Sequence, residues 1–176
     1  MNKYLTPAGG ADLDDLSDYE RLSRIAEIDL LNPELVARLD EISRRTMSRL
    51  GREASYVSIV LDSAQMILSS AGLSGWICHA GGTPVEWSFC GQTVALARTY
   101  VVPDATVDEV HKDSPLVTTD GTRSYAGVPL MTADGYVLGA HCVIDSNPHV
   151  FTDAEIVELQ SAAEEIAAIL AEYSVD

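Results

Sequence analysis

The chain has 176 residues, 47% of them hydrophobic, and its 27 acidic and 11 basic side chains give a formal net charge of −16. This length predicts one domain with a substantial core. The negative charge repels phosphate backbones and anionic lipids, so the composition argues against nucleic-acid and membrane-surface partners.

The three cysteines, Cys78, Cys90 and Cys142, are widely spaced and form no CxxC pair. This usage fits a reducing compartment better than a disulfide framework. The N-terminus lacks the apolar run of a signal peptide, and no apolar stretch is long enough to span a membrane. We therefore expect a cytoplasmic protein.

The N-terminal residues predict a leader followed by a helical extension. Residues 1–17 combine proline, glycines and an acidic cluster, which favours a flexible acidic leader. Ser17 and Glu20 have the spacing of a capping box, which predicts a helix over residues 18–30. We therefore expect an N-terminal helical extension over residues 18–32.

Two longer helices are predicted at the ends of the main domain. Asn32 followed by a proline has the pattern of a helix cap with proline in the first turn, which predicts a helix over residues 33–51. Thr152 and Glu155 form a second capping box and predict a helix over residues 152–173.

Between these helices the apolar period changes from 3.6 to 2, which is typical of strands. The predicted strands are 56–62, 65–70, 99–102, 124–131 and 136–145, with a short helix at 91–98. The last two strands form a hairpin at Asp134-Gly135. The pattern predicts an α+β domain over residues 33–173 with a mostly antiparallel sheet.

Strict alternation along the last strand divides its side chains between two faces. The face predicted to pack on the helices is Leu138, Ala140, Cys142 and Ile144, and the opposite face is Gly139, His141, Val143 and Asp145. On the neighbouring strand Tyr125 and Gly127 share the face opposite the helices. Glycines beside Tyr125 and His141 predict an unfilled cavity there, with the long segments 71–90 and 104–124 as lids.

Five blocks of sequence lie along this part of the chain. They are Ser88-Phe89-Cys90, Val102-Pro103-Asp104-Ala105-Thr106, Asp113-Ser114-Pro115-Leu116-Val117, Tyr125-Ala126-Gly127-Val128-Pro129-Leu130 and Leu138-Gly139-Ala140-His141-Cys142-Val143-Ile144-Asp145. In order and spacing they resemble the GAF domain of bacterial sensory proteins, over about residues 18–172.

The GAF resemblance implies a GAF-like fold: a central six-stranded antiparallel sheet, terminal helices on one face, and a ligand pocket with short helices and loops on the other. It also implies a non-catalytic sensory or regulatory module that binds a small molecule. Because no output module follows the last helix, we expect the signal to pass through a dimer partner or a separate signalling protein.

The candidate ligand-binding residues are polar or thiol side chains expected near the pocket. They are Ser58, Cys90, Asp104, Tyr125, His141 and Asp145. Asp104 is equally suited to capping the turn that follows it. Cys90 is either a small buried hydrophobe or a thiolate favoured by a helix start. The histidines lack metal-ligand spacing, so we expect no metal site, and the sequence identifies no cofactor or ligand.

A redox function is the alternative. Free methionine sulfoxide reductases are also GAF proteins with three cysteines, and Cys78 and Cys90 roughly match two of their positions. Their catalytic cysteine corresponds to the segment 104–124, which contains no cysteine here. The alternative is therefore a thiol switch or reductase-like enzyme that uses Cys90 and Cys78.

The last helix carries an apolar seam at alternating three- and four-residue steps, formed by Ile156, Leu159, Ala163, Ile166, Leu170 and Tyr173. This seam could cover the helix's own sheet or pair with a second copy, and the resemblance favours a homodimer through the N- and C-terminal helices. Residues 152–176 contain seven carboxylates and no basic side chain, whereas residues 33–52 contain five arginines. We expect the two helices to neutralise each other partly, leaving an acidic face for a cationic partner.

Overall fold

The computed structural model describes residues 10–175 and contains a six-stranded sheet with helices on both faces. The strands are β1 (Ala54–Val60), β2 (Ala64–Ala71), β3 (Gly82–Pro84), β4 (Tyr100–Val102), β5 (Ser124–Met131) and β6 (Val137–Asp145). The helices are α1 (Tyr19–Ala26), α2 (Pro33–Leu50), α3 (Trp76–Ala80), α4 (Phe89–Leu96), α5 (Pro115–Thr118) and α6 (Asp153–Glu172). The sheet order is β3-β2-β1-β6-β5-β4, and every neighbouring pair is antiparallel. The predicted fold class is confirmed.

The predicted leader lies partly outside the described residues, and the part inside them is packed. Leu13–Ser17 form a short 3-10 helix whose Leu16 side chain is 1% exposed. The backbone N–H of Ala11 donates to Oε1 of Gln92 at 2.7 Å. From α1, the buried guanidinium of Arg21 donates to the carbonyl oxygens of Leu16 at 2.5 Å and Val60 at 2.6 Å. The segment before α1 is therefore continuous with the core.

Helix α1 begins one residue later and ends four residues earlier than the pattern predicted. Its N-cap is Asp18, whose carboxylate accepts from the backbone N–H of Arg21 at 2.8 Å. The hydroxyl of Ser17 instead donates to the carbonyl of Asp14. The predicted Ser17 capping box is therefore wrong: a carboxylate one residue later takes the cap position.

The predicted caps of the two long helices are confirmed. The side chain of Asn32 accepts from the backbone N–H groups of Glu34 at 3.0 Å and Leu35 at 3.4 Å. Thr152 and Glu155 form the reciprocal capping box that starts α6. These bonds satisfy N–H groups that the first helical turn leaves free, and they fix where both helices begin.

Helices α2 and α6 cover one face of the sheet and pack against each other. Three ion pairs join them: Arg38 to Glu172 at 2.7 Å, Arg49 to Glu158 at 2.7 Å, and Arg45 to Glu165 between these two. Because the partner numbers fall as the arginine numbers rise, the helices are antiparallel. The predicted partial neutralisation of the acidic terminal helix is confirmed.

The apolar seam of α6 faces its own sheet. The first five seam residues are at most 3% exposed, and Tyr173 is partly buried against the same core. A homodimer through the terminal helices, which stays a prediction, would therefore need other residues, such as the 61% exposed Val157. No helix within residues 10–175 is both long and apolar enough to cross a membrane.

The predicted faces of β6 are wrong from Ala140 onward because the strand contains a β-bulge. Leu130 pairs with Gly139 and Met131 with Val137, so Leu138 is an extra residue and the alternation shifts by one. Leu138, His141 and Val143 consequently face α2 and α6. Ala140, Cys142 and Ile144 face the opposite layer, which contains α4.

The expected cavity at the two glycines is filled. A Cβ atom on Gly127 would lie 2.0 Å from the hydroxyl oxygen of Tyr125, so the tyrosine ring occupies the space that the glycine leaves. A Cβ atom on Gly139 would lie 1.8 Å from the carbonyl oxygen of Ser58, so this glycine permits close approach of β1. Neither glycine opens a pocket.

His141 is fully buried in the helix-side layer. Its Nε2 lies 2.9 Å from the hydroxyl of Thr46 in α2, and its Nδ1 lies 3.1 Å from the carbonyl of Tyr56. Burial lowers the pKa of His141 from 6.5 to about 4. The histidine therefore couples α2 to the sheet in its neutral form.

We expect His141 to make the fold sensitive to acid. Its pKa is lower in the folded state than in the unfolded chain, so stability is retained above pH 6.5 and lost as the pH falls toward 4. The loss amounts to about 3 kcal/mol for this shift. His141→Gln should lower the free energy of unfolding at pH 7 and flatten its decline between pH 6.5 and 4, as measured by urea titration. His79→Gln, at an exposed position, is the control; parallel pH profiles for His141→Gln and the unchanged protein would contradict this role.

Candidate functional site

A cleft of about 330 Å³ lies at the end of the sheet, where β1 begins and β6 ends. The segments 71–90 and 104–124, predicted as lids, both contribute walls to it. Its apolar and aromatic lining is Ala54, Tyr56, Leu73, Trp76, Ile77, Phe89, Leu116 and Ile144. Its polar lining is Glu53, Ser74, Thr119, Asp120, Thr122, Asp145 and Ser146. The lining thus combines apolar and aromatic side chains with carboxylates and hydroxyls.

A hydrogen bond links the two lid segments across the cleft. Nε1 of Trp76, in α3, donates to Oδ1 of Asp120, just after α5, at 2.6 Å. The Trp76 ring also makes an edge contact with Trp87, with ring centroids 6.2 Å apart. Gly72 and Gly75 adopt positive φ and turn the chain before α3. The indole is therefore fixed at the rim although its side chain is 42% exposed.

Two further carboxylates are fixed by the backbone at the sheet end of the cleft. Glu53 accepts from the backbone N–H of Ser146 at 2.9 Å and from its hydroxyl at 2.6 Å. Asp145 accepts from the backbone N–H of Glu53 at 3.2 Å and from that of Asn147 at 2.9 Å. Burial raises the pKa of Asp145, but these bonds, with the Arg52 cation, outweigh it and the net shift is downward.

The charge of the cleft is negative. Three carboxylates line it, and among residues 10–175 no lysine, arginine or histidine belongs to the lining. The guanidinium of Arg52 lies outside the lining, with its Nη1 3.7 Å from Oδ2 of Asp145. Such a site favours cationic ligands and disfavours anionic ones, because carboxylates attract positive charge and repel negative charge.

A cluster of sulfur and hydroxyl groups lies directly behind the aromatic wall. Sγ of Cys90 is 3.9 Å from Sγ of Cys142 and 3.3 Å from the hydroxyl of Tyr125. The hydroxyl of Tyr56, whose ring lines the cleft, is 3.9 Å from the same sulfur. All four side chains are at most 2% exposed. Burial raises the pKa of both tyrosines and of Cys142.

Aromatic stacking fills the rest of this face. The Phe89 ring stacks on His111 at 4.1 Å and on Tyr125 at 5.0 Å between centroids. The hydroxyl of Tyr100 lies 2.7 Å from Nε2 of His111, and burial lowers the pKa of this histidine to about 4. The centre of the face is therefore a packed core, and the cleft lies at the end of the sheet.

The structure separates the predicted site residues into four places. Asp145 lines the cleft. Ser58, Cys90 and Tyr125 lie in the buried layer behind it, on the predicted side of the sheet. Asp104 caps the turn at Thr106 and forms a two-bond ion pair with Arg123 at 3.0 and 3.1 Å, outside the cleft lining. His141 faces the helices, because of the bulge.

Sequence reasoning missed Glu53, Trp76 and Asp120 as candidate ligand contacts. Trp76 lies in the segment 71–90, where the glycines predicted irregular backbone, and the short helix α3 within it carries no periodic signal. Trp76 and Asp120 are far apart in sequence, so only the fold brings them together. A tryptophan in a segment expected to act as a lid was the available signal.

The described residues hold no group of three or more histidine, cysteine or acidic side chains placed to bind a metal ion.

The distribution of the thiols differs from that expected for the redox alternative, which uses Cys90 and Cys78. Cys78 is exposed on α3, whereas Cys90 is buried with Cys142 as its sulfur neighbour. The arrangement therefore pairs Cys90 with the strand cysteine.

A family model described as the GAF domain matches residues 38–170. A cyclic di-GMP phosphodiesterase of Pseudomonas aeruginosa is 31% identical over 132 residues, which is 74% of this chain but 22% of the phosphodiesterase. This chain thus spans about a fifth of that relative's length.

Solved structures share the fold at low identity. The GAF domain of a phosphoenolpyruvate-protein phosphotransferase from Coxiella burnetii superposes with a TM-score of 0.67 at 18% identity, covering 87% of this chain and 92% of that one. A free methionine-R-sulfoxide reductase from Neisseria meningitidis gives 0.64 at 17% identity, covering 96% of each chain. At these identities the likeness concerns the fold alone.

We expect one fast-reacting thiol in the folded protein. A bulky aromatic disulfide reagent should modify exposed Cys78 at once, whereas Cys90 and Cys142, both 0% exposed, should react only as the protein unfolds. The absorbance of the released thiolate gives the number of reacting thiols and the rate of each reaction. Cys78→Ser should remove the fast phase. Three thiols reacting at one rate in the native protein would contradict the burial described above.

Proposed function

The chain belongs to the GAF domain family, and from this and its cleft we propose that it is a regulatory module that binds a small organic molecule. The molecule would be neutral or positively charged, with an apolar part. The observation that carries this proposal is the meeting of an aromatic wall with three carboxylates in a cleft to which the described part of the chain contributes no basic side chain.

The dimensions of the cleft support a small molecule as the ligand. Its volume of about 330 Å³ is at the lower end of the range of ligand sites, about 300–1,000 Å³. Tyr56, Phe89 and Trp76 offer ring surfaces, and the hydroxyls of Ser74 and Thr119 offer hydrogen bonds. An ammonium group over the Trp76 ring and near Asp120 would gain both cation–π and ionic attraction.

The position of the cleft allows a change caused by ligand binding to reach the layer formed by α2 and α6. Glu53 follows the C-terminal end of α2 by three residues, and its backbone N–H is bound by Asp145. Helix α2 is in turn joined to α6 by the three ion pairs. A ligand that displaces Glu53 or Asp145 would therefore act on the end of α2. We propose that the two helices pass the change to a second copy or to a separate protein.

Binding rather than catalysis is the better-supported use of this fold. The phosphodiesterase relative is matched over 22% of its length, so this match does not support assigning the activity in its name to this chain. The reductases share the fold at 12% and 17% identity. The segment 104–124 contains no cysteine, and the buried thiols lie behind the cleft wall rather than in its lining.

Three ring compounds of matched size test the proposed ligand class: phenethylamine, phenethyl alcohol and phenylacetate. They share one aromatic ring and differ in charge. We expect the amine to bind most tightly and the carboxylate least, because the cleft is negative. Saturation-transfer NMR and quenching of tryptophan fluorescence measure the order. Asp120→Asn should weaken the amine while leaving the alcohol unchanged.

Glu41→Gln is the matched control, since Glu41 is an exposed acid on α2 outside the cleft. It removes the same charge and should leave all three affinities unchanged. Phenylacetate binding as well as the amine, or equal effects of Asp120→Asn and Glu41→Gln on the amine, would show that the cleft charge does not select the ligand.

A further inference from the structure

We propose that Cys90 and Cys142 are a redox-responsive dithiol that a peroxide oxidises to an intramolecular disulfide. The two residues come from different elements, Cys90 from the first turn of α4 and Cys142 from the middle of β6. Their sulfur atoms are 3.9 Å apart. Bond formation requires a separation of about 2.05 Å, so the sulfurs must approach by about 1.9 Å.

The surroundings of Cys90 differ from those of an inert core cysteine. The Tyr125 hydroxyl donates to its sulfur at 3.3 Å and is itself 2.7 Å from the hydroxyl of Thr93. The Tyr56 hydroxyl lies 3.9 Å away on another side. Cys90 also lies in the first turn of an eight-residue helix, where backbone N–H groups favour negative charge. These groups can stabilise a thiolate in a buried position.

The same surroundings shift the pKa values of the two thiols in opposite directions. Burial raises the pKa of Cys90, but hydrogen bonds from its neighbours, Cys142 and Ser58 first, outweigh burial and the net shift is downward. Burial raises the pKa of Cys142 well above its ordinary value. Because the Tyr125 hydroxyl donates to the Cys90 sulfur and Cys90 lies in the first turn of α4, Cys90 is the attacking thiol and Cys142 the resolving thiol.

A small oxidant has a short path to Cys90. Tyr56 and Phe89 line the cleft, and the first contacts Cys90 while the second precedes it in the chain. One layer of side chains thus separates the cleft from the sulfur. Hydrogen peroxide is small enough to pass with local motion of these rings, whereas a bulky thiol reagent is not.

The reaction proceeds in two displacement steps. The Cys90 thiolate attacks one peroxide oxygen; an S–O bond forms, the O–O bond breaks, and the leaving hydroxide takes a proton to become water. Cys90 is then a sulfenic acid. The Cys142 sulfur attacks the Cys90 sulfur, an S–S bond forms, and the S–O bond breaks. The second hydroxide takes the proton of Cys142, so two thiols and one peroxide give one disulfide and two waters.

The disulfide would alter the cleft. Strand β6 is fixed between β1 and β5, so closure draws the start of α4 toward the sheet. Phe89, a wall residue, is adjacent to the linked cysteine. Oxidation is therefore expected to change the shape of the ligand site, and only this consequence rests on the proposed function.

The test uses the full chain with Cys78→Ser, which removes the exposed thiol and with it intermolecular disulfides. The protein is titrated with hydrogen peroxide, denatured, alkylated and digested for mass spectrometry. We expect loss of both alkylatable thiols and a linked peptide pair that contains Cys90 and Cys142. Dithiothreitol should restore both thiols. This readout is covalent and needs no cleft ligand, so it stands apart from the ring-compound experiment.

Cys142→Ala in the same background is the matched variant. Without a resolving thiol, Cys90 should proceed to sulfinic acid, which dithiothreitol does not reverse. Two results with the Cys78→Ser protein would overturn the proposal: both buried thiols remaining alkylatable at peroxide doses that oxidise Cys78 in the unchanged chain, or oxidation of either thiol without a link. The Cys78→Ser experiment is decisive even if Cys142→Ala does not fold.

Discussion

The β-bulge at Leu138 determines which side chains of β6 face each layer of the domain. Because the extra residue shifts the alternation, His141 meets Thr46 in α2 while Cys142 meets Cys90 in α4. Both faces of the strand are buried, so each position must satisfy a particular neighbour. A shift of one residue would place the thiol in the α2 layer and the histidine in the α4 layer.

Aromatic packing on β5 and α4 explains why the cleft lies at the end of the sheet. Tyr125 folds over Gly127 and stacks on Phe89, so the centre of the cleft-side face is closed by aromatic rings. The ends of β1 and β6 lie beyond these rings, and there Trp76 and Asp120 bridge the two lid segments. The packed centre thus serves as the floor of the cleft and also shields the two buried thiols.

The sequence allowed the caps of α2 and α6, the hairpin and the α2–α6 charge pairing to be predicted, because each depends on neighbouring residues or on whole-helix charge. The phase of β6 could not be predicted, since apolar and small residues alternate compatibly with either face and nothing local marks a bulge at Leu138. The prediction of a cavity at Gly127 was wrong for a related reason. The sequence shows that a glycine has no side chain there, but it does not show that a neighbouring ring fills the space. The cleft contact of Trp76 with Asp120 depends on long-range folding.

The acidity of the chain has two different structural uses. On α6 three carboxylates, Glu158, Glu165 and Glu172, pair with arginines of α2 near the surface, an arrangement worth little stability per pair and readily changed. In the cleft, Glu53 and Asp145 hold the backbone N–H groups of Ser146 and Asn147, so their removal would leave those donors without partners. The negative charge of the cleft is therefore built into the turn that forms it. A ligand for this site must accommodate a charge that the fold itself requires.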